Sequence, residues 1–369
     1  MRNFLSKTVV GIKPSGIRKF FDLVSEMKDA ISLGVGEPDF DTPWHIRDEG
    51  IYALERGKTF YTSNSGLKDL RIEISNFLKR SYNLNYNPDD EVLVTVGGSE
   101  AIDIGLRAVI DAGDEVIIPQ PSYVSYEPCA VLAGAKPVII NLKEENEFRL
   151  TAKELEDAIT EKTKVLILPF PNNPTGSIME QKDLEEIAKV VIEHDILVMT
   201  DEIYSALTYK DKHFSIASIS GMKERTIYIN GFSKAYAMTG WRLGYACAPK
   251  EIIKQMTKIH QFAIMCAPTS SQYAAIEAIK NGDEDVKYHA ILSFEVDGKT
   301  YTGKDVFSRD ISRGNEVTEK AYRALNGEYK LYTGDIGDNI TSVMMIPAGI
   351  IISIFLIYEI FGKSKEKEQ

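Results

Sequence analysis

The sequence predicts an α/β protein whose mainly parallel sheet is covered by helices on both faces. Between residues 92 and 248 short apolar runs alternate with helical stretches, and the runs read VLVTVGG, EVIIPQP, KPVIINL, KVLILPFP, ILVMTDE, RTIYING and LGYACAP. Continuous apolar strands indicate burial on both faces of a sheet. The intervening stretches TAKELEDAIT and QKDLEEIAKVVIEH have the periodicity of amphipathic helices. In such sheets ligands bind at the carboxyl ends of the strands.

The first two strands each lead into residues suited to a flat, negatively charged ligand. Gly97, Gly98 and Ser99 open a helix directly after VLVTV, where backbone N–H groups and a hydroxyl form an anion site suited to phosphate. Tyr123 follows EVIIPQP and can stack on an aromatic ring, although a core position is equally compatible with the sequence.

The next two strands end in polar side chains. PNNPTG follows KVLILPF, and its prolines and glycine fix the loop that carries the amide of Asn173. Asp201 ends ILVMT, where a carboxylate can pair with a protonated ring nitrogen, and Tyr204 can donate to a phenolate oxygen. The alternative for this pair is a helix N-cap aspartate followed by a core tyrosine.

The most specific motif, GFSKAYAMTGWRLGY, follows the strand RTIYIN. Lys234 lies among small and apolar neighbours, where a lysine amine can attack an aldehyde. Ser233 and Arg242 offer a hydroxyl and a guanidinium to a phosphate dianion. Aldehyde, ring nitrogen, phenolate and phosphate together describe pyridoxal 5'-phosphate (PLP).

The motifs LGVGEPDF, GGSEA, PNNPTG, DEIY and GFSKAYAMTGWRLGY, with a Y-x-x-x-x-G segment at Tyr61, occur in the order typical of class I/II aminotransferases. Residues 1 to about 285 therefore resemble these enzymes, which have PLP fold type I with a seven-stranded large-domain sheet. The resemblance implies a cofactor-binding set of Tyr61, Gly98, Ser99, Glu100, Tyr123, Asn173, Asp201, Tyr204, Ser233, Lys234 and Arg242.

The resemblance also implies catalytic roles for three of these residues. Lys234 would hold PLP covalently and then move a proton between the substrate Cα and the cofactor C4′. Asp201 would pair with the pyridine nitrogen, and Tyr204 would bind O3′ together with Asn173. Gly36 would lie beside the substrate carboxylate, with Asn173 also near the substrate. Tyr61 would reach the phosphate of the neighbouring subunit in a homodimer.

The chain changes character after about residue 286. We expect an N-terminal segment of the small domain over 1–44, a PLP-binding domain over 45–286 and a β-rich segment over 287–340, in which ILSFEVDGKTYTG predicts a hairpin. TSVMMIPAGIIISIFLIYEIF (341–361) is long enough for a transmembrane helix. Residues 287–361 weakly resemble the C-terminal half of small bacterial membrane proteins. No arginine here has the setting of the family's carboxylate-binding arginine, and Arg309, Arg313 and Arg323 stay unassigned.

Bulk properties limit the remaining functions. A net charge of −11 argues against nucleic-acid partners, and three separated cysteines predict neither a disulfide framework nor a metal site. The N-terminus has no signal-peptide pattern, so we expect a cytoplasmic PLP domain, anchored to a membrane if the 341–361 helix spans one.

The predicted function is amino transfer from an L-amino acid to a 2-oxo acid, impaired if the carboxylate-binding region is missing. The alternatives are a PLP-dependent β-lyase of the same fold and a catalytically weak, membrane-tethered PLP-binding protein.

Overall fold

The structure, a computed structural model, describes residues 2–14, 36, 38, 41–208, 212–287, 289–296 and 299–306. The chain divides into two compact units, one of residues 1–15 and 45–281 and one of residues 16–44 and 282–369. The predicted apolar span 341–361 and the three unassigned arginines lie outside the described residues. Within the described part of the chain, no helix is both long enough and apolar enough to cross a bilayer.

A seven-stranded sheet forms the centre of the first unit. All seven predicted strands are present, and their bounds are β1 Val92–Thr95, β2 Glu115–Gln120, β3 Lys136–Asn141, β4 Thr163–Leu168, β5 Leu197–Asp201, β6 Thr226–Gly231 and β7 Gly244–Cys247. The order across the sheet is β1-β7-β6-β5-β4-β2-β3. Strand β7 is antiparallel to both β1 and β6, and the other pairs are parallel. The expectation of a mainly parallel sheet is confirmed.

Helices precede, connect and follow these strands. Their bounds are α1 Lys7–Gly11, α2 Trp44–Glu55, α3 Lys68–Tyr82, α4 Gly97–Val109, α5 Tyr126–Leu132, α6 Ala152–Ala158, α7 Gln181–Glu193, α8 Lys250–Ala263 and α9 Thr269–Asn281. Thr151 begins α6 with a capping box, because its side chain accepts from Glu154 N–H and the Glu154 carboxylate accepts from Thr151 N–H.

Successive strand residues belong to two different cores, one on each face of the sheet. Val165 and Ile167 of β4 lie in the core beneath α4, α5 and α8, and Leu166 and Leu168 lie in the core beneath α6 and α7. This division follows from the alternation of side chains along a strand. It also explains why the strands are continuously apolar in sequence.

Glycines bring α4 into direct contact with the start of β7. A Cβ at Gly244 would lie 2.6 Å from both the carbonyl carbon of Gly97 and the amide nitrogen of Gly98. No side chain fits in that space, so only glycine allows the first turn of α4 to rest on the sheet. Gly97 has a φ of +76°, in the left-handed region that glycine adopts without strain.

The second unit contains a short helix and the predicted hairpin. Helix α10 spans Asp283–Lys287, and strands β8 (His289–Val296) and β9 (Lys299–Val306) pair antiparallel with Val296 opposite Lys299. This pairing agrees with the predicted hairpin, whose turn residues lie outside the described part of the chain.

Candidate active site

Most of the predicted site residues lie at one edge of the seven-stranded sheet. Strands β2, β4, β5 and β6 are parallel, and β1 has the same direction because both β1 and β6 are antiparallel to β7. Their carboxyl ends therefore meet at a common edge, which is also where β7 begins. The residues at that edge are Gly98, Ser99, Tyr123, Asn173, Asp201, Ser233, Lys234 and Arg242.

Asp201 is a buried carboxylate held by two donors. It ends β5, is 7% exposed, and accepts at Oδ2 from the Tyr126 hydroxyl at 2.8 Å and at Oδ1 from Ile203 N–H at 3.2 Å. Burial raises its pKa from 3.8 to about 6, and the hydrogen bond from Tyr126 opposes that rise. A carboxylate in this condition is stabilised by any cation placed beside it, such as a protonated ring nitrogen.

Tyr126 is a site residue that the sequence analysis missed. It begins α5, is 3% exposed, and its ring meets that of Tyr123 edge-on at 5.6 Å between centroids. Burial is the main cause that raises its pKa well above 10.0, so its hydroxyl remains a donor to Asp201. The sequence could have indicated Tyr126, because it is a second tyrosine three residues after Tyr123 and a buried tyrosine requires a hydrogen-bond partner for its hydroxyl.

Tyr204, Asn173 and Lys234 form the second part of the site. Asn173 Nδ2 donates to the Tyr204 hydroxyl at 3.5 Å, and Lys234 Nζ lies 5.6 Å from the centre of the Tyr204 ring. Burial first, and then the charge of Asp201, raises the pKa of Tyr204 to about 12. The tyrosine therefore stays protonated at neutral pH and can donate to a ligand oxygen.

The first turn of α4 and Arg242 form an anion site. Arg242 Nη1 donates to the Thr239 carbonyl at 3.0 Å, and a Cβ built on Gly97 would lie 2.8 Å from Arg242 Nη2. The guanidinium is thus stacked against the backbone that begins the helix. Ser99 Oγ lies beside it, 3.4 Å from the Tyr123 hydroxyl. Unpaired N–H groups, a hydroxyl and a guanidinium are the donors that a phosphate requires.

Arg242 adopts this position at a conformational cost. Its φ is 51°, in the left-handed region that costs a residue with a side chain about 1 kcal/mol or more. Ser233 is half-buried two residues beyond the end of β6, and it is adjacent to Lys234 in the chain. The last residue of β6, Gly231, pairs with the first residue of β7, Gly244, so Ser233 and Arg242 lie two residues beyond neighbouring strand ends.

The Glu100 side chain contacts groups within the protein. Its Oε2 accepts from Val96 N–H at 2.5 Å, and its Oε1 lies 2.7 Å from Nδ1 of His260 on α8. Both oxygens are occupied, which favours a supporting role over the cofactor contact that the sequence analysis predicts. His260 is a second residue that the sequence analysis missed.

Two further predicted residues, Tyr61 and Gly36, precede β1 in the chain. Tyr61 is 81% exposed beside Phe60, which is 78% exposed. Gly36 belongs to the second unit, and its place beside the substrate carboxylate stays a prediction. Among the described residues no cluster of histidine, cysteine or carboxylate side chains could hold a metal ion.

The donor set fits PLP. The α4 anion site suits the phosphate, the buried Asp201 suits a protonated pyridine nitrogen, and Tyr204 with Asn173 suits the ring phenolate. Lys234 supplies the amine that an aldehyde requires, and it lies near the Tyr204 ring. Each functional group of the cofactor thus has a matching side chain at this edge of the sheet.

Comparisons with known proteins give the family. The protein-family model described as "Aminotransferase class I and II" matches residues 28–294 of this chain. The chain belongs to the class I and II aminotransferases. An aspartate aminotransferase of Pyrococcus abyssi is 51% identical over 271 residues, which are 73% of this chain and 70% of that protein. The aromatic-amino-acid aminotransferase 2 of Thermococcus litoralis is 45% identical over 75% of this chain and 72% of its own.

Solved structures of class I and II aminotransferases have the same fold. The aspartate aminotransferase of Thermus thermophilus with maleate is similar with a TM-score of 0.74 at 38% identity, over 77% of this chain and 74% of that one. An aromatic aminotransferase of Pyrococcus horikoshii gives a TM-score of 0.68 at 47% identity, over 72% of this chain and 70% of that one. This chain is accordingly a PLP-dependent aminotransferase, as the sequence motifs predict.

Proposed function

We propose that this aminotransferase carries the amino group of an L-amino acid to a 2-oxo acid at the edge of the sheet formed by β1, β2, β4, β5 and β6. Bound PLP supplies the electron-withdrawing ring that makes the substrate Cα–H acidic. The observation that supports the proposal is the position of the Lys234 amine and of the Asp201 carboxylate relative to Tyr204. Lys234 Nζ lies 5.6 Å from the Tyr204 ring, and Asp201 is buried three residues before that tyrosine.

The binding roles follow from the chemistry of each side chain. The first turn of α4 with Gly98 and Ser99 would hold the phosphate, assisted by Ser233 and Arg242. Tyr204 and Asn173 would donate to the phenolate oxygen. Asp201, which Tyr126 holds in place through a 2.8 Å hydrogen bond, would keep the pyridine nitrogen protonated. Tyr123 would cover one face of the ring.

Lys234 would perform the proton transfer. Its amine would be the group that holds the aldehyde of bound PLP. The same amine would be the base that takes the proton from the substrate Cα and the acid that gives it back. The half-buried position of Lys234, next to the Tyr204 ring, keeps this amine largely away from bulk water.

A homodimer would complete the site through Tyr61. Phe60 and Tyr61 adjoin the segment after α8, because Thr269 Oγ1 donates to the Phe60 carbonyl at 2.7 Å. Phe262, 83% exposed, belongs to the same surface, as does Met265, which is 43% exposed. An exposed apolar patch of this kind is typical of an interface. In a homodimer formed through this patch, the Tyr61 hydroxyl would reach the phosphate site of the second copy.

The names of the relatives guide the choice of substrates. We propose L-aspartate and aromatic L-amino acids as donors, since the relatives are named for these amino acids. The test is turnover by purified full-length protein with PLP, each donor and 2-oxoglutarate, followed as the new 2-oxo acid and L-glutamate. A Lys234→Ala variant is the control.

Three outcomes distinguish the candidate functions. Donor-dependent L-glutamate that disappears in Lys234→Ala supports amino transfer. Pyruvate and ammonia formed without a 2-oxo acid would instead indicate a β-lyase. Cofactor absorbance that no amino acid changes would indicate a PLP-binding protein without productive substrate binding.

A further inference from the structure

A buried carboxylate–histidine pair supports the phosphate end of the site from behind. Glu100 lies in the first turn of α4 and His260 in α8, 160 residues further along the chain. The Glu100 carboxylate only accepts hydrogen bonds, so we assign the proton to His260 Nδ1, which donates to Oε1 at 2.7 Å. The other oxygen accepts from Val96 N–H at 2.5 Å.

This pair closes the turn between β1 and α4. Val96 precedes α4 with a non-helical backbone, and no side chain caps the helix at this residue. Glu100, four residues further on inside the helix, instead binds the N–H of Val96 itself and so fixes the residue that precedes the first turn. The orientation of the Gly97 and Gly98 amides therefore depends on where His260 holds the carboxylate.

Packing alone does not account for a histidine at position 260. The side chain is fully buried, and among the described residues its Nε2 has no hydrogen-bond partner. An unpartnered buried nitrogen destabilises a fold, so an apolar side chain of the same size would pack better there. The bond from Nδ1 to Glu100 is the interaction that only the histidine supplies.

We propose that Glu100 and His260 are positioning residues that set the phosphate affinity of the site. This rests on the proposed function, in which α4 binds the phosphate of PLP. The hydrogen bonds of the Glu100 side chain go to Val96 N–H and His260 Nδ1. The pair acts by holding the amides of α4 in the direction that a phosphate requires.

The test compares PLP with pyridoxal, which has the same ring and aldehyde but no phosphate. The full-length protein, freed of cofactor, is titrated with each compound, and the affinity ratio of PLP to pyridoxal isolates the phosphate contribution. The matched variants are His260→Asn and His260→Leu, which are nearly equal in size. Only asparagine can place an N–H where Nδ1 lies and donate to Glu100.

His260→Leu is expected to lower the affinity ratio at least about tenfold, because a hydrogen bond to a charged group is lost. His260→Asn should keep the ratio near that of the wild type. His194→Leu, which removes the half-exposed ion pair with Glu156 on the other face of the sheet, should leave the ratio unchanged. If His260→Leu does not fold, Glu100→Met should show the same loss.

Two results would overturn the inference. If His260→Leu weakens PLP and pyridoxal equally, the pair only stabilises the fold. If both His260 variants lower the ratio alike, the hydrogen bond to Glu100 is not the cause. A wild-type protein that binds PLP no tighter than pyridoxal would instead contradict the phosphate site of the proposed function, and this inference with it.

Discussion

Stability of the cofactor-free protein should depend on pH through Asp201. Its pKa is raised from 3.8 to about 6, so the folded protein holds this proton more tightly than the unfolded chain does. A raised pKa contributes stability that is fully present below 3.8 and is lost as the pH rises through about 6. The full loss is about 3 kcal/mol, because one pKa unit corresponds to about 1.36 kcal/mol.

The assay is urea unfolding of the cofactor-free wild type and of Asp201→Asn at several pH values. Asparagine has the same shape but does not titrate, so the difference between the two proteins isolates the carboxyl. Between about pH 4.5 and pH 7.5 the wild type should lose about 2 kcal/mol relative to Asp201→Asn. Parallel loss of stability in the two proteins across this range would refute the reasoning.

Tyr126→Phe tests whether the Tyr126 hydroxyl keeps the pKa of Asp201 from rising further. The Tyr126 hydroxyl donates to Asp201 at 2.8 Å and lowers the pKa of that carboxyl. Removing a hydrogen bond to a charged group costs about 1.5 to 3 kcal/mol, equivalent to about one to two pKa units. The pH-dependent loss of stability in Tyr126→Phe should therefore grow by about 1.5 to 3 kcal/mol over the full titration and extend towards neutral pH. An unchanged pH profile would show that the hydroxyl does not stabilise the charged carboxylate.

Three other changes test the rest of the site. Lys234→Ala should abolish covalent attachment of the cofactor, detected by mass spectrometry after borohydride reduction, and lower turnover about 10²- to 10⁴-fold. Gly97→Ala places a Cβ 2.8 Å from Arg242 Nη2 at a φ of +76° and should weaken PLP binding about tenfold. Gly113→Ala, where φ is +99° and no heavy atom lies within 4 Å, is its control and should lose stability alone. Tyr204→Phe should shift the absorbance of the bound cofactor and lower kcat about tenfold, since one donor to the phenolate is lost.

The fold could be predicted from the apolar runs because the strands, apart from the edge strand β3, are largely buried on both faces. Each run therefore stands out as continuously apolar, and each became a strand. The apolar runs do not predict the direction of each strand. The run at Gly244–Cys247 resembles the others, yet it is antiparallel to both of its neighbours. It begins at the edge where β6 ends, because no α-helix lies between the two strands to carry the chain back across the sheet.

The site was predictable where its residues follow strands. Asp201, Asn173 and Lys234 each come at or just after the carboxyl end of a strand, and the order of the sheet brings those ends together. Tyr126 and His260 could not be found in this way. Their partners lie 75 and 160 residues distant in the chain, and only the folded structure shows which hydroxyl meets which carboxylate.

Burial raises the pKa of two neighbouring acids of this site, Asp201 and Tyr204, yet it gives them different roles. It raises the pKa of Asp201 to about 6, close enough to neutral pH that one adjacent cation keeps the group charged. It raises the pKa of Tyr204 to about 12, far enough that the group keeps its proton and donates it in a hydrogen bond. The same exclusion of water therefore leaves a carboxyl that a protonated ring nitrogen can keep charged and a hydroxyl that can donate to the ring oxygen. No further charged residue is needed to separate their roles.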